Sequence, residues 1–242
     1  MMKSRTLHIA IFTGLILCMV GRTHAQDIVT ITSEKTAVVD KLKGTAVWRK
    51  NVYVVRKLTG SNLMTDRLSL KRDSKSGRVI WAEAAGNVRA VYFQIQEPLE
   101  KTGSVDGDTA KIEPHTTITC ESATFDRNEA LAELKGNLWV RSKAFEIKGD
   151  KARYNYEEER GKITALPGDQ VHFIYFKKST STEKGNENGK PENGKITGSA
   201  DEILVDRKAG KSVLQGKVLI DDHTDQSRFE ADRAELFFDR NE

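Results

Sequence analysis

The chain has 242 residues, of which 39 are basic and 35 are acidic, and its two cysteines are Cys18 and Cys120. Lys3, Arg5 and Arg22 all fall within the first 25 residues, so the rest of the chain is close to neutral. A nearly neutral chain argues against a nucleic-acid partner, which requires a concentrated basic face.

Residues 1–25 have the features of a secretory signal peptide. A basic start at Lys3 and Arg5 precedes a mostly apolar run over residues 7–20, and Thr23-His24-Ala25 places small residues where signal peptidase acts. The apolar run is shorter than the about 20 residues that a membrane-spanning helix needs. We therefore predict cleavage after Ala25, with an uncleaved membrane anchor as the alternative. Cleavage would leave Cys120 as the remaining cysteine, which excludes an intramolecular disulfide.

A short pattern recurs six times after the signal peptide. An apolar residue is followed two positions later by a small one and then by an acid, and a small or apolar residue and an apolar or aromatic one complete the unit. The copies occupy residues 31–38, 63–70, 118–125, 147–154, 198–205 and 229–236, and the acids are Glu34, Asp66, Glu121, Asp150, Asp201 and Asp232. The fifth copy is weaker, because Gly198 takes its apolar place. Such a recurring unit predicts a stacked or rolled β architecture.

The spacing within the unit predicts a corner at the acid. Ile147 and Gly149 are two residues apart, as are Ala152 and Tyr154, but the step between the pairs is three, which would change faces in a regular strand. Both pairs face inward only if a bulge bends the strand at Asp150. We expect the carboxylate to accept backbone N–H groups there.

The acids occur once per repeat. Catalytic carboxyl groups usually occur as two groups in different environments of one cleft, and metal sites need several oxygens at one point, so this spacing favours the structural role. The histidines after the signal peptide, His115, His172 and His223, lack the spacing of metal ligands. We predict no enzymatic activity, no metal site and no cofactor.

A second signal is a turn residue that leads into a short alternating strand. It occurs at residues 51–54, 86–90, 136–140, 168–173 and 216–220, several of which begin with Gly-Asn or Gly-Asp. These dipeptides supply the positive φ angles of a tight hairpin, so each unit is predicted to be strand, turn, strand.

Two interruptions, near residues 94–117 and 177–195, are rich in glycine, proline and polar residues. They are predicted to be insertions at the edge of one elongated β domain that spans residues 26–242.

One apolar face is shared by the strands after the turns and by the starts of the repeats. Its residues are Val52, Val54, Val88, Ile118, Leu138, Val140, Ile147, Val171, Phe173, Val218 and Ile220. The pattern fits either an ordinary sandwich core or an apolar groove for an acyl chain, and alternation alone does not separate the two.

The repeated unit resembles that of the OstA-like (LptA) family of periplasmic lipopolysaccharide transport proteins. The clearest matches are Gly149-Asp150-Lys151-Ala152-Arg153-Tyr154, Ala231-Asp232-Arg233-Ala234 and Gly136-Asn137-Leu138-Trp139-Val140. The resemblance implies an all-β, elongated β-jelly roll of two antiparallel sheets. It also implies a periplasmic protein that binds lipopolysaccharide or a related glycolipid, with the acyl chains along the apolar face.

The resemblance further implies that the edges of the jelly roll pair head to tail with further copies or with other jelly-roll transport components, bridging the inner and outer membranes. Unpaired edge strands favour such strand addition. The residues expected at these interfaces are Ile31, Val38, Phe229 and Leu236. An uncleaved N-terminus would instead resemble the membrane-anchored LptC-like adaptor of the same export system, and a structural or carbohydrate-binding β-solenoid is the third alternative.

Overall fold

The computed structural model describes residues 29–57, 59–93, 116–176 and 194–237, and these residues form fourteen β-strands without a helix. The strands are β1 (Val29–Thr32), β2 (Lys35–Asp40), β3 (Thr45–Arg56), β4 (Asn62–Arg72), β5 (Val79–Tyr92), β6 (Thr116–Asp126), β7 (Leu131–Ser142), β8 (Phe145–Asn155), β9 (Arg160–Thr164), β10 (Val171–Phe176), β11 (Lys195–Ala200), β12 (Glu202–Asp206), β13 (Lys211–Asp222) and β14 (Ser227–Phe237). No helix in these ranges is long and apolar enough to cross a membrane. The predicted signal peptide and most of both predicted insertions lie outside the described residues.

All the strands belong to one antiparallel sheet whose long strands each contribute to two layers. The first layer contains β1, β10, β11 and the halves of the long strands that are in register with them. The second layer contains β2, β9, β12 and the remaining halves. The predicted all-β jelly roll is confirmed, with the refinement that its two layers are halves of one continuous sheet.

The predicted hairpin turns at residues 51, 86, 136 and 216 are wrong, because these residues form corners inside β3, β5, β7 and β13. Gly136 and Asn137 have φ angles of 77° and 48°. Together they stand opposite the single residue Asp150 of β8, since the register moves from Lys135 to Leu138. Two residues opposite one make a bulge that bends the strand without reversing it. The predicted corner at the acid is therefore confirmed.

The chain reverses direction at a different set of turns. These lie at the strand ends that are farthest from the corners, here called the free margins of the layers. The Asp126 carboxylate accepts the backbone N–H groups of Asn128 and Glu129 at 2.8 and 3.2 Å, and Ala130 ends the turn with a φ of 52°. Asp40, Asp73, Asn155 and Asp206 accept backbone N–H groups in the same way. These are Asx turns, in which a short polar side chain stabilises the reversal.

Candidate functional site

The residues of the predicted apolar face all lie in the first layer and contact one another. All of them except Ile220 are buried members of one apolar cluster, with exposed fractions between 0% for Val140 and 9% for Phe173. Ile220 is partly buried and packs against that cluster. The structure thus brings the predicted residues to a single inner surface.

The second layer supplies the opposite wall of this interior, and its residues were not among the predicted lipid-binding residues, although the repeat spacing placed Ala152 and Tyr154 inward. The wall residues include Leu68, Ala84, Ala123, Leu134, Ala152, Ile163, Ile203 and Leu214, all of them buried in the same cluster. Leu68, Ala123, Ala152 and Ile203 occupy the small or apolar place after the acid of their repeats. That place was the available signal, since the corner turns it back toward the inside.

The apolar interior reaches both edges of the sheet. Ile31 and Trp48 at one edge, and Ala234 and Leu236 at the other, are partly buried and pack against the cluster. Residues further inside, such as Leu138, are almost fully buried. An apolar surface therefore runs across the whole sheet and becomes accessible at its two ends.

The outer faces of the layers are charged. The Glu133 carboxylate lies 2.8 Å from the Lys135 ammonium and 3.5 Å from that of Lys151. Hydrogen bonding to Lys135 holds the pKa of the Glu133 carboxyl below its ordinary value. On the other layer, the Arg141 and Lys148 cations lie over the Trp139 ring, 5.9 and 5.7 Å from its centroid. Inside and outside thus differ sharply in polarity.

Four of the corner acids, Glu34, Asp66, Glu121 and Asp201, lie against the corner of the next strand in the sheet. Asp66 accepts a hydrogen bond from the Asn87 side-chain amide at 2.8 Å, and Glu121 accepts one from Asn137 at 2.7 Å. The prediction that these acids accept backbone N–H groups is wrong in these repeats, because the amide of the next strand reaches the carboxylate instead. A Cβ at Gly136 would come within 2.4 Å of Glu121, so the glycine makes room for the carboxylate. Among the described residues, no group of acids, histidines and cysteines is arranged to hold a metal ion.

The residues predicted at partner interfaces lie on edge strands. Val38 on β2 and Phe229 on β14 are 62% and 51% exposed, whereas Ile31 and Leu236 are partly buried. Within the described ranges, β1 and β2 pair with β3, and β14 pairs with β13. Val39, Leu42 and Phe237 add exposed apolar surface near the same edges and were not predicted.

One cavity lies outside this interior. It measures about 1160 Å³ and is lined mainly by the connection between β9 and β10 and by polar residues of β13 and β14, including Asp169, Lys217 and Arg228. Of the predicted apolar face it contacts Val218 alone. The interior is filled by its own side chains, so an acyl chain would require the layers to move apart.

Cys120 occupies the small place of the third repeat and is 6% exposed. Burial raises the pKa of its thiol to about 12. At pH 8 only about one thiol in ten thousand is then ionised, so we expect a thiol reagent to react with the native chain far more slowly than with the denatured chain. Absorbance of the released reagent measures both rates on residues 26–242. Comparable rates would show that Cys120 is accessible.

One similar solved structure is that of LptH, the LptA homologous periplasmic component of the conserved lipopolysaccharide transport device from Pseudomonas aeruginosa. It is 18% identical, the alignment covers 60% of this chain and 87% of LptH, and the TM-score is 0.41. No curated protein matches the chain. The model of the family described as LptA/(LptD N-terminal domain) LPS transport protein matches residues 117–241, more than half of the sequence, and the chain belongs to that family.

Proposed function

We propose that this chain is a periplasmic lipopolysaccharide-binding transport protein that shields acyl chains in its apolar interior and forms part of a bridge between the inner and outer membranes. The observation that carries the proposal is the continuous inner surface, which is apolar from the edge at Ile31 to the edge at Leu236. The family match supports the lipopolysaccharide class of cargo.

The arrangement of the layers supports a mechanism by which acyl chains enter the interior. Each long strand crosses from one layer to the other once, at its corner, so the backbone joins the layers along one ridge. Away from that ridge, the apolar cluster holds the layers together. Acyl chains that replace these side-chain contacts would keep the interior apolar while the layers separate. The sugars would remain in water at the free margins.

The two edges support the bridging part of the proposal. An edge strand presents unpaired N–H and C=O groups, and an added strand from another molecule pairs with them. Exposed Val38 and Phe229 would be covered by such an addition. We propose that other jelly-roll transport components, or further copies of this chain, pair there.

We also propose that the chain is exported to the periplasm. The signal peptide over residues 1–25 would direct the chain across the inner membrane and be removed after Ala25.

The interior is tested by replacing single residues with a photo-crosslinking benzophenone amino acid. Probes at Leu138 and Phe173, which are 1% and 9% exposed, should capture lipopolysaccharide. Matched probes at the adjacent outward positions Trp139 and His172 should not. The lipopolysaccharide carries a fluorescent label on its sugar, and the products are measured on gels by that label.

Competition identifies which part of lipopolysaccharide the interior binds. Unlabelled lipopolysaccharide should abolish capture at Phe173, whereas its deacylated form should not, because the interior contacts acyl chains. Equal capture by inward and outward probes, or equal competition by the deacylated sugar, would contradict the proposed interior site.

A further inference from the structure

One end of the second layer is strongly basic. Residues 35–50 and 67–85 form the second-layer parts of β2 to β5 and two of the turns between them, and they contain ten basic and three acidic side chains. At the other end of the same layer, residues 202–215 and 232–237 contain four of each kind. Residues 35–50 and 67–85, here called the basic end, therefore carry more net positive charge than the whole chain.

The outward cations on the strands of the basic end have no acidic partners. Lys35, Arg49, Arg67 and Lys71 are exposed, and none of them forms an ion pair among the described residues. On the rest of this outer face, from β7 to β14, the strand cations do form ion pairs. These are Lys135, Lys151 and Arg153 with Glu133, Arg160 with Asp206, Lys162 with Glu202, and Lys211 and Arg233 with Glu235.

Three of the unpaired cations face one another across neighbouring strands. Lys35 of β2 is directly opposite Arg49 of β3, and Arg49 is directly opposite Arg67 of β4. Residues in such pairs point to the same side with their Cβ atoms about 5 Å apart, so like charges there destabilise the sheet. Negative charge outside this face would offset the repulsion. The row is therefore unfavourable in water and favourable against an anionic surface.

An exposed apolar residue lies beside these cations at the free margin. The Asp40 carboxylate accepts the backbone N–H groups of Leu42 and Lys43 at 3.1 and 3.0 Å, in a turn that leaves Leu42 99% exposed. The next turn lies alongside, since Arg72 donates its N–H to the Gly44 carbonyl oxygen at 2.8 Å. The cations of the two turns are Lys41, Lys43, Lys75 and Arg78, of which Lys43 pairs with Asp40. The margin thus presents an apolar tip surrounded by positive charge.

We propose that the basic end docks on the surface of an anionic phospholipid membrane. Its cations contact lipid phosphates, and Leu42 enters the boundary between the head groups and the acyl chains. A soluble polyanion would satisfy the cations but would leave Leu42 in water, so the combination favours a membrane.

The docked face and the apolar interior meet at the same edge strands. Trp48 of β3 packs against the inner cluster at the edge where the interior becomes accessible, and the next residue, Arg49, points outward. Docking therefore holds one open end of the interior beside a membrane. The inference goes beyond the proposed function, because it concerns the outer face and does not depend on lipopolysaccharide binding.

Vesicle sedimentation tests the docking on residues 26–242. Phosphatidylcholine vesicles with about 30% phosphatidylglycerol should give a partition coefficient at least about tenfold higher than vesicles of phosphatidylcholine alone, because cations near an anionic surface are attracted to it. Raising the salt concentration to about 1 M should release the chain, because salt screens this attraction.

Two triple variants assign the binding to the basic end. Arg49→Gln, Arg67→Gln and Lys71→Gln together should lower the partition coefficient at least about tenfold. Lys135→Gln, Lys151→Gln and Arg153→Gln remove as many charges from the same outer face, but those cations already have Glu133, so the coefficient should fall by less than about twofold. In urea unfolding the first variant should be at least as stable as the unmodified chain, because the repulsion between opposite arginines is removed.

A second pair of variants tests the apolar contact. Leu42→Ser should lower the partition coefficient at least about threefold, because an apolar side chain no longer leaves water on docking. Leu166 is the matched control, since it is 56% exposed on the connection between β9 and β10. Leu166→Ser should leave the coefficient unchanged.

Three results would overturn the inference: equal binding to the two kinds of vesicle, equal losses in the two triple variants, or no effect of Leu42→Ser. The last would indicate a purely electrostatic face, which a soluble polyanion fits equally well. Capture of lipopolysaccharide at Phe173 in the Arg49, Arg67 and Lys71 variant is measured in parallel and should be unchanged. Absence of that capture in the otherwise unmodified chain would contradict the proposed cargo without altering the vesicle result.

Discussion

Replacing Phe173 with alanine is expected to lower the free energy of unfolding by about 3–5 kcal/mol. Phe173 is 9% exposed on β10 and belongs to the apolar cluster. Its ring lies directly over Gly198 of β11, with Cζ 2.3 Å from the place a Cβ would take. Removing the ring leaves a cavity between the layers. Urea denaturation followed by tryptophan fluorescence measures the loss.

The neighbouring residue His172 provides the matched control, since it is exposed on the outer face of the same strand. His172→Ala should change stability by no more than about 0.5 kcal/mol. Gly198→Ala alone should destabilise the chain, but in the Phe173→Ala background it should recover part of the loss. Recovery stays partial because the Leu219 carbonyl oxygen is also only 2.6 Å from the new Cβ. Strictly additive effects of the two changes would show that the ring and the glycine are not coupled.

Replacing Gly136 with alanine is expected to cost about 2–3 kcal/mol of stability, from two causes. The residue has a φ of 77°, which strains any residue with a Cβ. The new Cβ would also displace the Glu121 carboxylate, which lies 2.4 Å from its position, and break the hydrogen bond to Asn137. Thermal or urea unfolding measures the total.

Gly77 separates the two causes. It has a φ of 67°, but nothing lies within 4 Å of its Cβ position, so Gly77→Ala should cost only the strain, about 1 kcal/mol. The corner of β3 carries Lys50 in the place of the glycine with a φ of 61°, so the Gly136→Ala chain should still fold. Equal losses at Gly136 and Gly77 would show that the corner carboxylate contributes nothing to stability.

Sequence spacing predicted the corners because it determines which side chains face inward. In the fourth repeat, Ile147 and Ala152 are both buried, and this is compatible only with a bulge at Asp150. The inward residues of the first layer followed from simple alternation after each corner. The opposite wall was left out of the predicted apolar face, although the repeat spacing placed Ala152 and Tyr154 inward, because that face was drawn only from the strands after the turns and from the starts of the repeats.

The hairpin prediction failed for a physical reason. A Gly-Asn pair with positive φ angles suits a two-residue hairpin and a corner bulge equally well, and only the register of the neighbouring strands distinguishes them. Six of the reversals between described strands use a different signal, an aspartate or asparagine followed four residues later by a residue of positive φ. Asp73 and Gly77 form one such pair.

The contact between a corner acid and the corner of the next strand also limits where the chain can change length. A corner acid and the glycine or amide that it contacts must keep the same position along their neighbouring strands. A residue added between a corner and the middle of a layer would therefore separate the two contacting groups. Chain length is free to vary only at the ends of strands. Both long interruptions occur at one margin of the first layer, between the paired residues Tyr92 and Thr116 and between Phe176 and Lys195. Related chains should therefore differ in length at these margins and keep constant spacing across the ridge.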